Sequence, residues 1–557
     1  MRATLALLVF APYLLAAMVA TDLGALPMRA LYLLCGVLWI LLPALLLKAR
    51  AFFVFHSLTL LLGLVEGVHL VMYHATTSLL FVNTIFIAEL GEFLELCSTA
   101  WPAIVLAVAF FAGYFWLIFN KIDNTPLLSH TGRLAVAASE LLCVLLVLGV
   151  LRGTHNDRHF FVPIDDEKPH AGIVHLLPFN LLHHTIEIVE LHKKIDAATE
   201  QLDHFSFGIQ PDEQQPPQTI VLVIGETARY GNFGINGYRR NTTPRLQQRQ
   251  NLISFDSVYA VANLTTVSVP MMLSPATPQT AADYMHQKSV VEAFAEADYR
   301  TAWIANQSFG NQFLMRISET CDYTHYLPDN NSFDSDLLND LRAIVDSAQR
   351  PEFVVLHSLG CHYKYNCRYP QTMAPFQPDM NSRPDIEAVA LDIKKVIEQR
   401  NSQPLLDEIR NILVNSYDNA IAYTDYFLDS TISLLETSDR PSLLLYIGDH
   451  GENLLDDERH LLLHGTYNGS AYEYHVPLFI WYSDSYRAAN PQKVANLHKH
   501  KSSKTSSMTL FATLLDLGGI RWPHLNRTQS LAADSFVADS VVYGLDANLQ
   551  VKEIPLK

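Results

Sequence analysis

Cysteine and charge are both scarce in this chain. Six cysteines in 557 residues cannot build a disulfide scaffold. Charged residues make up only 17%, against about 25% in an ordinary soluble domain, so part of the chain does not face water. Lys and Arg number 39 against 56 Asp and Glu, a formal charge of −17. That balance lacks the cationic footprint of a nucleic-acid binder, and no nucleic-acid partner is expected. No heptad is sustained, which excludes a coiled coil, and Leu, Val and Phe are too abundant for a disordered chain.

The apolar residues are concentrated before residue 153. Five mostly apolar stretches, 3–20, 30–47, 51–73, 101–119 and 133–151, are each long enough to cross about 30 Å of hydrocarbon. Arg2, Lys48, Arg50, Lys121 and Arg133 fall on one side of these crossings; the other side has Arg29, and 74–100 holds no Lys or Arg. The positive-inside rule then places the N-terminus in the cytoplasm and everything after Arg152 outside. Residues 2–20 also fit a cleaved signal peptide loosely, which would leave the C-terminal part on the same side. The loop 74–100 carries Glu89, Glu92 and Glu95 among Ile85, Phe86, Phe93 and Leu94. That spacing predicts an amphipathic helix, either interfacial or solvated. Glu66 and Glu140 stand inside apolar helices, where carboxylates are functional candidates.

Residues 153–217 read as a bridge. They hold eight histidines, expected to be interfacial rather than metal-binding, two short helices over 176–188 and 189–203, and a linker, PDEQQPP, at 211–217. From 218 to 557 the pattern alternates. Thr219–Gly225, Thr301–Ala305, Phe353–His357, Leu443–Gly448 and Pro477–Tyr482 are short apolar runs, and 384–400, 403–437 and 506–517 read as helices. Buried strands alternating with helices make an α/β domain with a doubly wound, mostly parallel sheet. The expected organisation is therefore a five-helix transmembrane domain (1–152), the bridge (153–217) and a catalytic domain (218–557).

In such sheets ligands bind beyond the carboxyl ends of the strands. The first strand ends in Gly225-Glu226-Thr227 and the strand near 443 in Gly448-Asp449-His450-Gly451-Glu452. Glu, Asp and His at neighbouring strand ends form an N,O donor set suited to zinc, with manganese or magnesium a poorer fit. Between them runs Asn263-Leu-Thr-Thr-Val-Ser-Val-Pro270. Pro270 suits a first helical turn, which puts Thr265, Thr266 and Ser268 at a helix N-terminus. A threonine there is a nucleophile if a metal activates it, and otherwise a cap. His362 and His464 follow strand ends and could hydrogen-bond a phosphoryl oxygen or protonate a leaving group.

Together, five helices, an outer α/β domain, GET (225–227), TxxSVP (265–270), DHGE (449–452) and LHG (463–465) resemble the phosphoethanolamine transferases of Gram-negative inner membranes. Asn236–Arg245, Tyr417-Asp-Asn419 and Tyr423–Tyr426 are similar to that family as well. The resemblance implies an alkaline phosphatase-like, or sulfatase-like, catalytic domain in the periplasm. It implies metal ligands at Glu226, Asp449 and His450, with Thr265 as fourth ligand and nucleophile. It implies His362 and His464 on the substrate phosphate, and a role near the ethanolamine phosphate for Trp303, Asn306 and Ser308, although Ala305 replaces the usual Asp. Glu92 matches an acidic loop motif whose other positions, Ile87, Ala88 and Glu89, depart from it. Met271 stands where the family has a disulfide cysteine. Of the three cysteines outside the membrane, Cys361 and Cys367 enclose a loop short enough to pair in an oxidising compartment.

The expected reaction transfers phosphoethanolamine from phosphatidylethanolamine to lipid A, a core sugar or another periplasmic glycan. It runs through a covalent Thr265 intermediate and releases diacylglycerol. One Zn2+ is expected, with a second allowed, and Mn2+ fits less well. A monomer is expected. A hydrolase that uses water as acceptor, and a glycerol-phosphate transferase, are the rival readings.

Overall fold

The structure is a computed structural model. It describes residues 1–20, 26–73, 90–153, 216–307, 312–327, 332–386, 403–466, 469–546 and 550–555, with isolated residues and short stretches between 76 and 209. The chain divides into two compact units, Met1–Lys194 and Ile195–Lys557.

The first unit is helical: Arg2–Val19, Leu26–Leu41 prolonged by a 3-10 turn at Leu42–Leu45, Ala49–Tyr73, Leu90–Lys121 and His130–Gly153. Among the described residues, three stretches are long and apolar enough to cross a membrane: Arg2–Val19, Ala49–Val68 and Ile104–Lys121. Tyr32–Leu45 is apolar but shorter. Among the described residues, three of the five expected spans thus meet the length and composition that a crossing needs. In the first helix Leu5, Val9, Tyr13 and Ala16 recur every three or four residues and are buried, the spacing of one helical face. Two buried hydroxyls find partners on other segments: Tyr13 donates to the Leu177 carbonyl at 2.9 Å and Tyr114 to the Phe53 carbonyl at 2.8 Å. Glu66, inside the apolar helix Ala49–Tyr73, is fully buried. It accepts from the backbone and hydroxyl of Thr77 and, at 2.8 Å, from Asn180 Nδ2, as a carboxylate in a dry site requires.

One expectation is corrected here. The stretch from Leu90 to Ala100 is not a separate amphipathic helix; it runs without a break into the predicted 101–119 span as a single 32-residue helix. Nothing between Leu94 and Trp101 breaks a helix, and Pro102 is accommodated inside it. Glu92 falls in the first turn, but its side chain lies outside the described residues, as does most of 74–89. Helical residues occur at 179–182 and 184–186. Most of the rest of the two bridging helices, seven of the eight bridge histidines and most of the 211–217 linker lie outside the described residues.

The second unit is built on one eight-stranded sheet. In chain order its strands are β1 (Thr219–Gly225), β2 (Leu252–Tyr259), β3 (Arg300–Ala305), β4 (Tyr323–Tyr326), β5 (Glu352–His357), β6 (Ser442–Gly448), β7 (His475–Tyr482) and β8 (Thr505–Ser506). Their spatial order is β8-β2-β7-β6-β1-β5-β3-β4. β7 runs antiparallel to both neighbours and the remaining pairings are parallel, so the sheet is mixed. β1, β5 and β6 are buried throughout. Side chains alternate between the faces: Ile220, Leu222 and Ile224 join one apolar layer, Val221 and Val223 the other. Each such side chain stabilises by about 1.5–3 kcal/mol on burial. The long helix Gln403–Leu435 covers the second layer and Thr509–Leu517 the first.

The core tolerates one acid of note. Glu352 opens β5 with both carboxylate oxygens buried and unbonded, and the nearest cation, Arg300, is 3.8 Å away. Burial pushes its carboxyl up to about 7. The folded state therefore holds the proton more tightly than the unfolded chain. Stability should fall as pH rises from about 4.5 to about 7 and then level off. Glu352→Gln should flatten that slope, narrowing the difference in unfolding free energy between pH 5 and pH 8 by about 2 kcal/mol. Denaturant titrations at the two pH values measure it.

Candidate active site

Two glycines set the site. Gly225 ends β1, Gly448 ends β6, and the parallel register pairs them. The next residue on each strand, Glu226 and Asp449, therefore leaves the same edge of the sheet side by side. His450 follows Asp449. One ligand atom from each of Glu226, Asp449 and His450 lies within 4.8 Å of the others, and all three residues are buried. His450 Nε2 stands 3.6 Å from Glu226 Oε1 and 3.4 Å from Asp449 Oδ2.

Backbone groups fix the ligands. Asp449 Oδ1 accepts the N–H groups of Thr227 (2.9 Å) and His450 (2.7 Å). Its Oδ2 is buried with no hydrogen-bond partner. His450 Nδ1 is 2.9 Å from the Gly451 carbonyl. A carbonyl only accepts, so Nδ1 carries the proton, and a neutral ring then turns the Nε2 lone pair into the cluster. Glu226 accepts from the Thr227 hydroxyl at 2.8 Å and from Gln307 Nε2 at 3.1 Å. Burial alone would raise Glu226, but His450, His362 and His464 around it hold its carboxyl low. Burial, reinforced by the charge of Glu226, pushes Asp449 up. Two acids shifted in opposite directions across one buried site share too little positive charge. An orphaned carboxylate oxygen, a free imidazole lone pair and excess negative charge fit a divalent cation, and the N,O set fits zinc.

Thr265 meets this cluster. It is the first residue of the helix Thr265–Met272, and its hydroxyl lies 2.9 Å from Glu226 Oε1 and 3.0 Å from His450 Nε2. Ser268 caps nothing; it donates to the Asp449 carbonyl at 2.7 Å and ties the helix to the strand end. Pro270 is not in the first turn, as its ring chemistry suggested, but sixth in the helix, because the helix starts at Thr265 itself.

His362 and His464 face the same space, their ring centres 6.2 Å apart, and His464 is 4.2 Å from the His450 ring. Burial lowers His362 to about 4. Burial and then the neighbouring His450 lower His464 to about 3. Both are neutral at pH 7 in the absence of a bound anion. His362 Nδ1 is committed to the Tyr363 carbonyl at 2.7 Å, leaving Nε2 for the site. Glu452 is fully buried and sits 3.3 Å behind His464 Nδ1. Sequence reasoning saw Glu452 only as part of DHGE, and missed Gln307; their roles depend on folded contacts, and no spacing signals them.

The other candidates are placed differently. Asn306 is buried and gives Nδ2 to Asp334 at 2.9 Å; Asp334 in turn holds the N–H groups of Leu359 and Gly360. Asn306 thus supports the loop that carries His362. Ser308 lies outside the described residues. Cys361 and Cys367 are free thiols, the first buried and the second exposed. Gly360, at φ +48°, has no room for a side chain: a Cβ there would come within 2.8 Å of the Glu226 carbonyl oxygen. Gly360→Ala should displace Glu226, weaken zinc binding at least tenfold and cost about 1–2 kcal/mol of stability from the left-handed backbone alone. Metal titration and thermal unfolding of the same preparation would show both.

A mixed sheet whose parallel strands end in a buried Glu–Asp–His cluster facing a helix-borne hydroxyl defines an alkaline phosphatase-like α/β domain. The chain belongs to the sulfatase family, whose model matches residues 218–520. Among curated relatives, phosphoethanolamine transferase EptC of Escherichia coli O18:K1:H7 is 26% identical over 333 residues, 58% of this chain and 54% of that one. The chain thus spans about half the length of the curated relatives it matches. The crystal structure of the C-terminal periplasmic domain of EcEptC in complex with Zn, from Escherichia coli, covers 62% of this chain and 96% of its own, with TM-score 0.54 at 24% identity. The integral membrane protein lipooligosaccharide phosphoethanolamine transferase A (EptA) from Neisseria meningitidis covers 94% of this chain and 97% of its own, with TM-score 0.69 at 19% identity. At these identities the two structures show the shared fold.

Proposed function

We propose that this protein is a membrane-bound phosphoethanolamine transferase. It takes phosphoethanolamine from phosphatidylethanolamine onto Thr265 and passes it to lipopolysaccharide, at lipid A or a core sugar, or to another periplasmic glycan. The observation that carries the reading is the Thr265 hydroxyl within 3.0 Å of both Glu226 and His450. The names of the curated relatives and of the full-length structural neighbour support it.

Glu226, Asp449, His450 and the Thr265 oxygen would hold zinc, which lowers the pKa of a bound hydroxyl and offsets charge on phosphoryl oxygens. Thr265 Oγ1 forms the new bond to phosphorus as the bond to the diacylglycerol oxygen breaks. Its hydroxyl proton would be given up to one of the acceptors around it, Glu226 Oε1 at 2.9 Å or His450 Nε2 at 3.0 Å. An incoming phosphate anion raises the pKa of the neutral His362 and His464, so each binds it more strongly once protonated. His464, with Glu452 behind it, would then give a proton to the departing diacylglycerol oxygen. In the second half-reaction an acceptor oxygen attacks the same phosphorus and Thr265 leaves. Five membrane crossings, a bacterial inner-membrane location and a periplasmic catalytic domain complete the reading, since the donor is a bilayer lipid.

The test is mass spectrometry of the full chain after incubation with phosphatidylethanolamine. A phosphoethanolamine adduct on the 265-containing peptide, with diacylglycerol released, is the expected result. Free phosphoethanolamine without an adduct would replace the transferase with a hydrolase.

A further inference from the structure

Among the described residues, Glu473 is a buried acid outside the metal cluster that bonds to three segments flanking site residues. It is fully buried, in the short helix Ala471–Tyr474 that leads into β7. Its carboxylate takes four protein donors. Oε1 accepts from Asn263 Nδ2 (3.1 Å) and the Thr466 N–H (3.0 Å). Oε2 accepts from the Thr466 hydroxyl (2.7 Å) and the Ser470 N–H (2.7 Å). Its backbone carbonyl accepts the Gly451 N–H at 2.6 Å. Asn263 adds two links of its own: Nδ2 donates to the Thr466 carbonyl at 3.0 Å, and its carbonyl accepts the Gly465 N–H at 3.1 Å.

These bonds connect three functional segments. Asn263 is two residues before Thr265. Thr466 is two residues after His464. Gly451 directly follows His450. Cys321, Cys361 and Cys367 are free, so no disulfide ties these segments together. A carboxylate with four donors in a dry site is among the stiffest non-covalent links available, because each bond is charge-assisted and water does not compete.

We propose that Glu473, through Asn263, is the positioning residue that holds Thr265, His450 and His464 in catalytic register. It touches neither substrate nor metal. The inference rests on the transferase reading, because register is defined by attack of Thr265 on phosphorus. Reacting groups displaced by about 1 Å lose about 10²-fold in rate, so loosening the clamp should slow chemistry more than it weakens the fold.

The experiment measures the single-turnover rate of adduct formation on the full chain with phosphatidylethanolamine, for wild type, Glu473→Gln, Asn263→Ala and the double variant. Glu473→Gln keeps shape but turns one acceptor into a donor facing other donors. Each single variant should form the adduct about 10- to 100-fold more slowly at saturating donor. Half-saturating donor concentration and zinc stoichiometry should be unchanged. The double variant should be no slower than the slower single, since both act on one link. If Glu473→Gln fails to fold, Asn263→Ala carries the test alone through the same split between rate and donor concentration. Unchanged rates per folded molecule with a lower unfolding temperature would make Glu473 a purely structural residue and overturn the proposal, as would additive losses. Absence of an adduct on the wild-type protein would remove the transferase reading and this inference with it. An adduct on wild type with equal rates in the variants would remove the inference alone.

Discussion

Thr265→Ala is expected to abolish covalent phosphoethanolamine transfer, lowering the rate by about 10³-fold or more, while leaving the fold intact. The reason for the first half is geometric: the hydroxyl that meets Glu226 and His450 belongs to Thr265. The reason for the second is local. Thr265 occupies the first helical position, where alanine is a better helix former, and the helix has no side-chain cap to lose. Thr265→Ser should keep part of the activity, because it keeps the hydroxyl and loses only the methyl. Adduct mass and circular dichroism of the same samples check both halves. If Thr265→Ala kept the adduct, the nucleophile would have to be reassigned, with Thr266 first in line.

The second large effect concerns the metal. Asp449→Asn should reduce zinc affinity by about 10²-fold or more and abolish activity, with little change in structure. Asn can still offer an oxygen to the Thr227 and His450 N–H groups, so the loop keeps its two anchors. At the orphaned position, however, it puts an NH₂ group where the ligand oxygen of Asp449 stands. Chelation of the wild-type protein should do the same reversibly. Because Glu226 and Asp449 crowd two acids into one buried site, the metal-free protein should also be less stable. Adding zinc should raise the unfolding temperature in wild type but not in Asp449→Asn. Metal content by elemental analysis and calorimetric scans with and without zinc provide the check. Full activity in a protein stripped of metal would remove the metal from the account.

How much of this was legible in the sequence depended on how much each residue's role rests on its own chemistry. The strands β1, β5 and β6 are short apolar runs bounded by polar residues or glycine, as strands buried on both faces are. β2 was not legible: Ser254, Asp256 and Ser257 interrupt it, because it is only partly buried. β4 and β8 are four and two residues long and carry no pattern. Glu226, Asp449 and His450 were readable as a set because strand ends are where an α/β sheet presents ligands. Gln307, Glu452 and Glu473 were not, since what singles them out is a partner brought to them by the fold: Glu226, His464 and Asn263 in turn. Asn306 shows the converse. Family resemblance suggested a substrate role for it, and the fold adds a bond from its Nδ2 to Asp334 that no sequence spacing signals.

The reversed direction of β7 has an evolutionary consequence. A chain leaving β6 must come back along the same edge before entering β7, so residues 449–474 form one excursion above the sheet. That excursion holds Asp449, His450, Glu452, His464 and Glu473, while its middle, around Asp457 to His460, is a surface turn. Length can change in that turn without shifting any strand register. A lineage could therefore reshape this surface turn by insertion and deletion and leave the buried residues of the site inherited unchanged.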